Sequence, residues 1–132
     1  MAEASEAKET KKGRWLEGDV LYVADEAEIE KIADALASKT RLRILGLLFR
    51  EEMGIEDLAE RLKQSKANIS THVKKLESAG LVKSQYKPGH RGVKKVAKPI
   101  AREIRILLYT LSEGIEERLE KEPLPGEETG GR

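Results

Sequence analysis

The chain of 132 residues contains no cysteine. That excludes disulfides, thiolate metal ligands and cysteine nucleophiles, and leaves the redox compartment unreadable from this residue type. Long apolar runs are missing as well. The longest fall far below the roughly 18–20 residues that span a bilayer, and the opening MAEASEAKETKKGR lacks the apolar core of a signal peptide. A soluble, cytoplasmic protein is the expectation. There is one Asn and there are two Gln, against 37% charged residues, a pattern that leans towards heat-stable proteins. Histidine occurs twice, as His72 and His90. Eighteen residues apart, the two make no metal-ligand spacing. Ser70 and His72 stand two apart on a helical stretch and point in different directions, so they form no nucleophile–base pair. No Gly-rich phosphate loop and no internal repeat is present, and Glu51-Glu52 reads as a charge pair in a loop. An enzyme, a metal site and a cofactor are therefore not expected.

Acidic residues are scarce in one region only. From Arg61 to Arg102 there are twelve Lys or Arg and one acid, Glu77, a net of +11. Residues 1–60 carry a net of −6 and residues 103–132 a net of −4, so the overall +1 hides a strongly basic middle between acidic flanks. A solvated surface normally mixes both signs. A block of one sign points to a polyanion partner.

The basic block has helical periodicity. Ile55, Leu58, Ala59 and Leu62 repeat at i, i+3, i+4 and i+7. After the polar break Lys63-Gln64-Ser65, a second stripe follows at Ile69, Val73 and Leu76. Ser65 is placed to cap the second helix and Gly80 to end it in a left-handed conformation. Two strand-like runs, Leu81–Lys87 and Val93–Ala97, flank the turn-forming Pro88-Gly89-His90-Arg91-Gly92. Helix, tight turn, helix and hairpin in this order predict a winged helix-turn-helix, with duplex DNA as the leading partner.

With Ile69, Val73 and Leu76 facing inward, a 100° step per residue puts Ala67, Thr71, Lys74 and Ser78 on the far side. Asn68, Ser70 and Lys75 flank them, and Lys66 and His72 lie nearer the buried edge. Short polar groups with cations around them suit base edges and phosphates in a major groove. The expected DNA-contacting set on this helix is Ser65, Lys66, Asn68, Ser70, Thr71, His72, Lys74 and Lys75. On the hairpin it is Lys87, His90, Arg91, Lys94 and Lys95, since cations at a loop tip can enter a minor groove or follow phosphates.

Around this unit, residues 1–13 read as a disordered arm and Val20–Val23 as a brief strand or extended arm. Asp25, with Glu28 three residues on, has capping-box spacing ahead of the stripe Ile29, Ile32, Ala33 and Leu36. Ser38 or Thr40 opens the next helix. Its Leu42, Ile44, Leu45, Leu47, Leu48 and Phe49 are apolar almost all round, which predicts a buried central helix. Pro99 suits the first turn of a last helix over 99–120, with a stripe at Ile100, Ile104, Leu107, Leu108, Leu111, Ile115 and Leu119. That stripe exceeds what so small a domain covers, and the surplus argues for a second copy. Residues 121–132 read as a loose tail. The fold expectation is mainly α with a small β-hairpin wing (α+β): a winged helix-turn-helix over 14–98, its wing at 81–98, and a long C-terminal dimerisation helix.

Two segments carry a resemblance. Ala35–Leu48, ALASKTRLRILGLL, and Ser65–Val82, SKANISTHVKKLESAGLV, resemble the ArsR-type winged-helix transcription regulators, especially archaeal versions, with Ser70, His72, Leu76, Gly80 and Leu81 in the family's spacing. The resemblance spans roughly residues 25–110. It implies a homodimeric DNA-binding regulator joined through its first and last helices, here Ile29, Ile32, Ile104, Leu107, Leu108, Leu111 and Ile115. There are departures. Thr71 stands where the family often has Arg. Ile55-Glu56-Asp57-Leu58 stands where metal-sensing members carry cysteines, and the expected last helix has no His, so metal sensing is not implied. His72 is expected as a phosphate or packing contact. A sequence-specific regulator, most simply a repressor, is the leading reading. The alternatives are an architectural DNA-binding protein of low sequence specificity and a winged-helix protein-interaction module. No effector pocket can be located from the sequence.

Overall fold

The computed structural model describes residues 13–126. The arm expected over 1–13 lies, apart from Gly13, outside the described residues, as does the end of the tail from 127 onward. The chain opens with two short antiparallel strands, β1 (Arg14–Glu17) and β2 (Val20–Val23). Helices α1 (Glu26–Leu36) and α2 (Lys39–Arg50) follow, then the two-residue strand β3 (Met53–Gly54). Helices α3 (Ile55–Leu62) and α4 (Lys66–Ser78) lead into the hairpin β4 (Val82–Gly89) and β5 (Gly92–Pro99). A strand β6 (Glu103–Ile106), a 3₁₀ turn (Leu108–Ser112) and a short helix α5 (Ile115–Lys121) complete the chain.

The helix-turn-helix and wing form as their local signals require. Ser65 Oγ accepts the backbone N–H of Asn68 at 3.0 Å and caps α4. Gly80 ends that helix at φ +77°, in the left-handed region glycine enters at little cost. Ser38, rather than Thr40, caps α2 by accepting the N–H of Arg41. The wing is a hairpin closed by His90-Arg91, with Gly89 opposite Gly92. β3 adds a third strand on the far side of β5, and Gly54 is needed there: a Cβ at this position would lie 2.9 Å from the carbonyl oxygen of Lys95.

The core joins all the helices of the winged unit. Ile32 of α1, Ile44 and Leu48 of α2, Leu58 of α3 and Ile69, Val73 and Leu76 of α4 meet Leu21 and Val23 of β2 and Val82 and Ala97 of the wing. At about 1.5–3 kcal/mol for each fully buried aliphatic side chain, this cluster dominates the favourable side of folding.

Four expectations are corrected. The C-terminal dimerisation helix over 99–120 does not form. Pro99 ends β5, and β6 pairs in parallel with β2, Leu21 opposite Ile104 and Val23 opposite Ile106. Within the helical-looking stripe, Glu103-Ile104-Arg105-Ile106 also alternates polar and apolar, and β2 has an open edge whose backbone groups need partners. Pairing satisfies both. Within segment 99–120, Glu103–Ile106 thus joins the N-terminal sheet. Gly114, in a left-handed conformation at φ +67°, limits α5 to seven residues.

Secondly, Asp25 caps nothing through its side chain. Its carboxylate accepts the N–H of Gly13, and its own N–H goes to the Thr110 hydroxyl. The capping-box geometry yields to these longer-range bonds. Thirdly, α2 is not buried all round: Leu42 is 51% exposed and Phe49 48%, because the side that faces the domain is the one with Ile44 and Leu48 at its centre and Leu45 and Leu47 partly buried beside them. Fourthly, Ile32, assigned to a dimer interface, has no exposed surface, since α1 turns it into its own domain's core. Of the other residues so assigned, Leu108 is exposed. Ile29, Ile104, Leu107, Leu111 and Ile115 are half-buried, with Ile29 and Ile104 packed on the core.

Candidate nucleic-acid interface

Helix α4 is held from three sides. Its inward residues Ile69, Val73 and Leu76 sit in the core. Its N-terminus is capped by Ser65, and its C-terminal carbonyls at Ala79 and Gly80 accept hydrogen bonds from the Arg14 guanidinium, which also pairs with Glu28 at 3.2 Å. The outward side is exposed to solvent: Ser65, Lys66, Asn68, Ser70, Thr71, Lys74 and Lys75 are all exposed. Every residue expected on this helix except His72 is thus open to solvent, with Asn68, Thr71, Lys74 and Lys75 closest together on the side away from the core.

His72 is half-buried, and its Nδ1 lies 3.1 Å from Nη1 of Arg41. A guanidinium can only donate, so Nδ1 is the unprotonated acceptor. Burial, and after it the charge of Arg41, holds the His72 pKa below its ordinary 6.5. Arg41 also donates to the carbonyls of Ala35 at 2.6 Å and Asp34 at 2.9 Å, ending α1. His72 is therefore a packing contact between α1, α2 and α4, and its assignment to the DNA-contacting set is corrected to that extent. Arg41 itself was missed by sequence reading. Its position in the first turn of α2 gave no sign that it would bridge two other helices.

Two of the polar groups suited to base edges are turned towards the chain itself. The Thr71 hydroxyl donates to the carbonyl of Ala67 at 3.1 Å, and the Asn68 amide donates to the Gln64 side chain. Ser70 has no such partner among the described residues and stands free.

The wing residues Lys87, His90, Arg91 and Lys94 are exposed and Lys95 is half-buried. Strand register sorts the lysines by face. Lys83 opposite Lys98 and Lys87 opposite Lys94 lie on one side of the hairpin, while Tyr86 opposite Lys95 lies on the other. Like charges directly opposite one another are destabilising.

Carboxylates from the body of the domain offset this. Lys87 pairs with Glu52, and Lys94 pairs with Asp57 at 2.8 Å. On the helix side, Lys66 reaches Glu56 at 3.4 Å, Lys75 reaches Asp34 at 2.7 Å, and Lys95 lies 3.9 Å from Glu77. The acids respond as expected. Hydrogen bonding to Lys87 lowers the pKa of Glu52, and hydrogen bonding to Lys75 lowers that of Asp34. Asp57 is lowered first by Lys94 and then by the N–H of Gly54, and Lys94 is raised in return by Asp57. None of these pairings was legible in the sequence, which showed Glu56 and Asp57 only as acids suited to a helix N-terminus. Lys74 and Arg91 have no carboxylate partner among the described residues. Between the wing tip and the start of α3 lies an open cleft of about 660 Å³, edged by Glu56, Asp57, His90, Arg91 and Lys94.

Among the described residues no group of His and acidic side chains is arranged to hold a metal ion, and no helix is long and apolar enough to cross a membrane.

The family model described as bacterial regulatory protein, arsR family, matches residues 38–84, which run from the cap of α2 into β4. The chain is 35% identical over 72 residues to the HTH-type transcriptional repressor GbsR of Bacillus subtilis (strain 168), a match over 51% of this chain and 38% of that protein. It is 35% identical over 57 residues to the uncharacterized HTH-type transcriptional regulator MJ0229 of Methanocaldococcus jannaschii, over 43% of this chain and 60% of that one. The chain thus matches less than two thirds of either relative's length. A solved structure of similar fold is the homodimeric winged helix-turn-helix DNA-binding domain Mb0332 of Mycobacterium bovis, a possible ArsR-family transcriptional regulator. It is 24% identical, with a TM-score of 0.51, over 70% of this chain and 81% of that one.

Proposed function

We propose that this chain, whose residues 38–84 match the arsR family model, is a dimeric, sequence-specific DNA-binding transcription regulator acting as a repressor. Helix α4 enters the major groove, and the wing grips the flanking backbone. The observation that carries this reading is the exposed face of α4: seven polar or cationic side chains from Ser65 to Lys75, with no acid before Glu77, on a helix fixed at both ends. Lys66, Asn68, Ser70, Thr71 and Lys74 contact the groove, with Ser65 and Lys75 on adjoining phosphates. Lys87, His90, Arg91, Lys94 and Lys95 follow the backbone or the minor groove. His72 acts indirectly, by seating α4 against α2.

Dimerisation is supported by the homodimeric state of the Mb0332 domain and by exposed apolar side chains such as Leu42, Phe49, Leu108 and Tyr109. Ile104, Leu107, Leu111 and Ile115 would contribute only their outer edges. The test is selection of bound sequences from a random duplex pool. An enriched inverted repeat with half-sites about one helical turn, roughly 34–36 Å, apart supports a dimer reading sequence. Enrichment of no sequence at all removes the sequence-specific regulator.

One observation favours the alternative of an architectural protein of low specificity. The side chains of Thr71 and Asn68 are engaged within the chain and would have to turn outward to read bases. Competition by unrelated DNA separates the two. A specific regulator loses little of its operator complex to excess unrelated duplex, whereas an architectural protein loses it in proportion.

A further inference from the structure

We infer that the carboxylates of Glu52, Glu56 and Asp57 are built-in competitors of DNA phosphate, which hold Lys87, Lys66 and Lys94 and must be displaced before these lysines engage a duplex. The inference rests on the DNA-binding reading above and concerns how strongly that face binds. Three observations carry it.

The first is position. The cleft between the wing tip and the start of α3 has Glu56 and Asp57 on one wall and His90, Arg91 and Lys94 on the other. An anion entering it meets Lys94 already paired with Asp57 of the opposite wall. The second is register. Lys87 and Lys94 are direct cross-strand neighbours, an unfavourable juxtaposition on its own, and each is matched with a separate acid from the body of the domain: Glu52 just before β3, Asp57 in the first turn of α3. The third is exposure. Lys66, Lys87 and Lys94 keep 66%, 46% and 47% of their side-chain surface, so the pairs are open to water and exchangeable. Exposed pairs are individually weak. A single phosphate, or salt, exchanges with them at little cost, and a backbone that presents several phosphates at once displaces them together.

The consequence is a lowered affinity. Each acid subtracts from the affinity for any duplex, so loose contacts that engage one or two lysines gain little. A complex that engages the whole face still gains the contacts of Lys74 and Arg91, which have no such competitor among the described residues. The acids therefore lower the affinity for any duplex in proportion to the number of these lysines that it engages.

The test measures binding of a fluorescent duplex of arbitrary sequence at low salt by Glu52→Gln, Glu56→Gln and the double variant. Glu60→Gln serves as control: it removes the same charge from the exposed side of α3, where Glu60 pairs with no lysine among the described residues. Glu52→Gln and Glu56→Gln are each expected to bind about two- to fivefold more tightly than the unaltered chain, and the double variant about tenfold. Glu60→Gln should change affinity by less than about twofold. Equal gains in all three single variants would mean that only net charge matters and would overturn the inference, as would no gain at Glu52 and Glu56. Failure of the unaltered chain to bind any duplex at low salt would instead remove the DNA reading, and this inference with it. Matching thermal unfolding curves for the variants establish that the comparison is made between folded proteins. If Glu52→Gln does not fold, the arm at the more exposed pair, Glu56→Gln against Glu60→Gln, still decides the question.

Discussion

Replacement of Gly80 by Ala tests how the end of α4 is secured. Gly80 has φ +77°, so any side chain there is strained. A left-handed residue with a Cβ costs about 1–2 kcal/mol. The added Cβ would also lie 2.0 Å from Nη1 of Arg14, the far end of a flexible side chain, which must then swing away. Swinging away breaks the bonds from Arg14 to the carbonyls of Ala79 and Gly80 and the pair with Glu28. Hydrogen bonds from a charged donor contribute about 1.5–3 kcal/mol when buried. Arg14 keeps 28% of its side-chain surface, and screening trims this to about 1–2 kcal/mol. Gly80→Ala alone should therefore cost about 2–4 kcal/mol, and Arg14→Met, which keeps an apolar stem, about 1–2 kcal/mol. The double variant should be no less stable than Gly80→Ala to within about 0.5 kcal/mol, because the Arg14 bonds can be removed only once. Equilibrium unfolding in urea, with unchanged slope across the four proteins, measures the cycle. Simple additivity of the two single costs would refute the account of how Arg14 holds the helix end.

Two further outcomes are expected. Arg91→Ala should weaken binding to all duplex sequences alike and lower the salt slope by about 0.9, the change for one phosphate no longer neutralised by the protein; an unchanged affinity across salt concentrations would show that the wing tip does not touch DNA. Stability should also depend on the protonation of His72. Its folded pKa is below 6.5, so the unfolded chain binds the additional proton. Stability is then present above 6.5, falls as the pH drops through that value, and levels off below the folded pKa. His72→Gln should flatten this part of a plot of unfolding midpoint against pH, and an identical profile in the two proteins would count against the burial of the His72 ring between the helices.

Much of the winged unit was legible because its signals are local. The cap at Ser65, the left-handed glycine at 80, the spacing of Ile69, Val73 and Leu76 and the turn before Gly92 each act within a few residues of chain. The outward face of α4 followed from the same spacing. Where local signals met longer-range demands, the latter prevailed. Asp25 left its capping position for the N–H of Gly13. The stripe from Ile100 to Leu119 matched a helix, yet the segment Glu103–Ile106 within it was claimed by an open strand edge some eighty positions earlier. The apolar girth of α2 announced burial, but a helix at the margin of a small domain has only one side to bury.

The amino-acid order alone determined that a bihelical unit with a wing would form and that its middle third would be basic. Periodicity, capping and charge count are properties of neighbours in the chain. Only the tertiary structure decided which of those charges are free. Lys87, Lys94 and Lys66 meet acids 35, 37 and 10 positions away in sequence, while Arg91 and Lys74 meet none among the described residues. Coulomb attraction depends on distance through space, and that distance exists only once the wing has folded onto the start of α3.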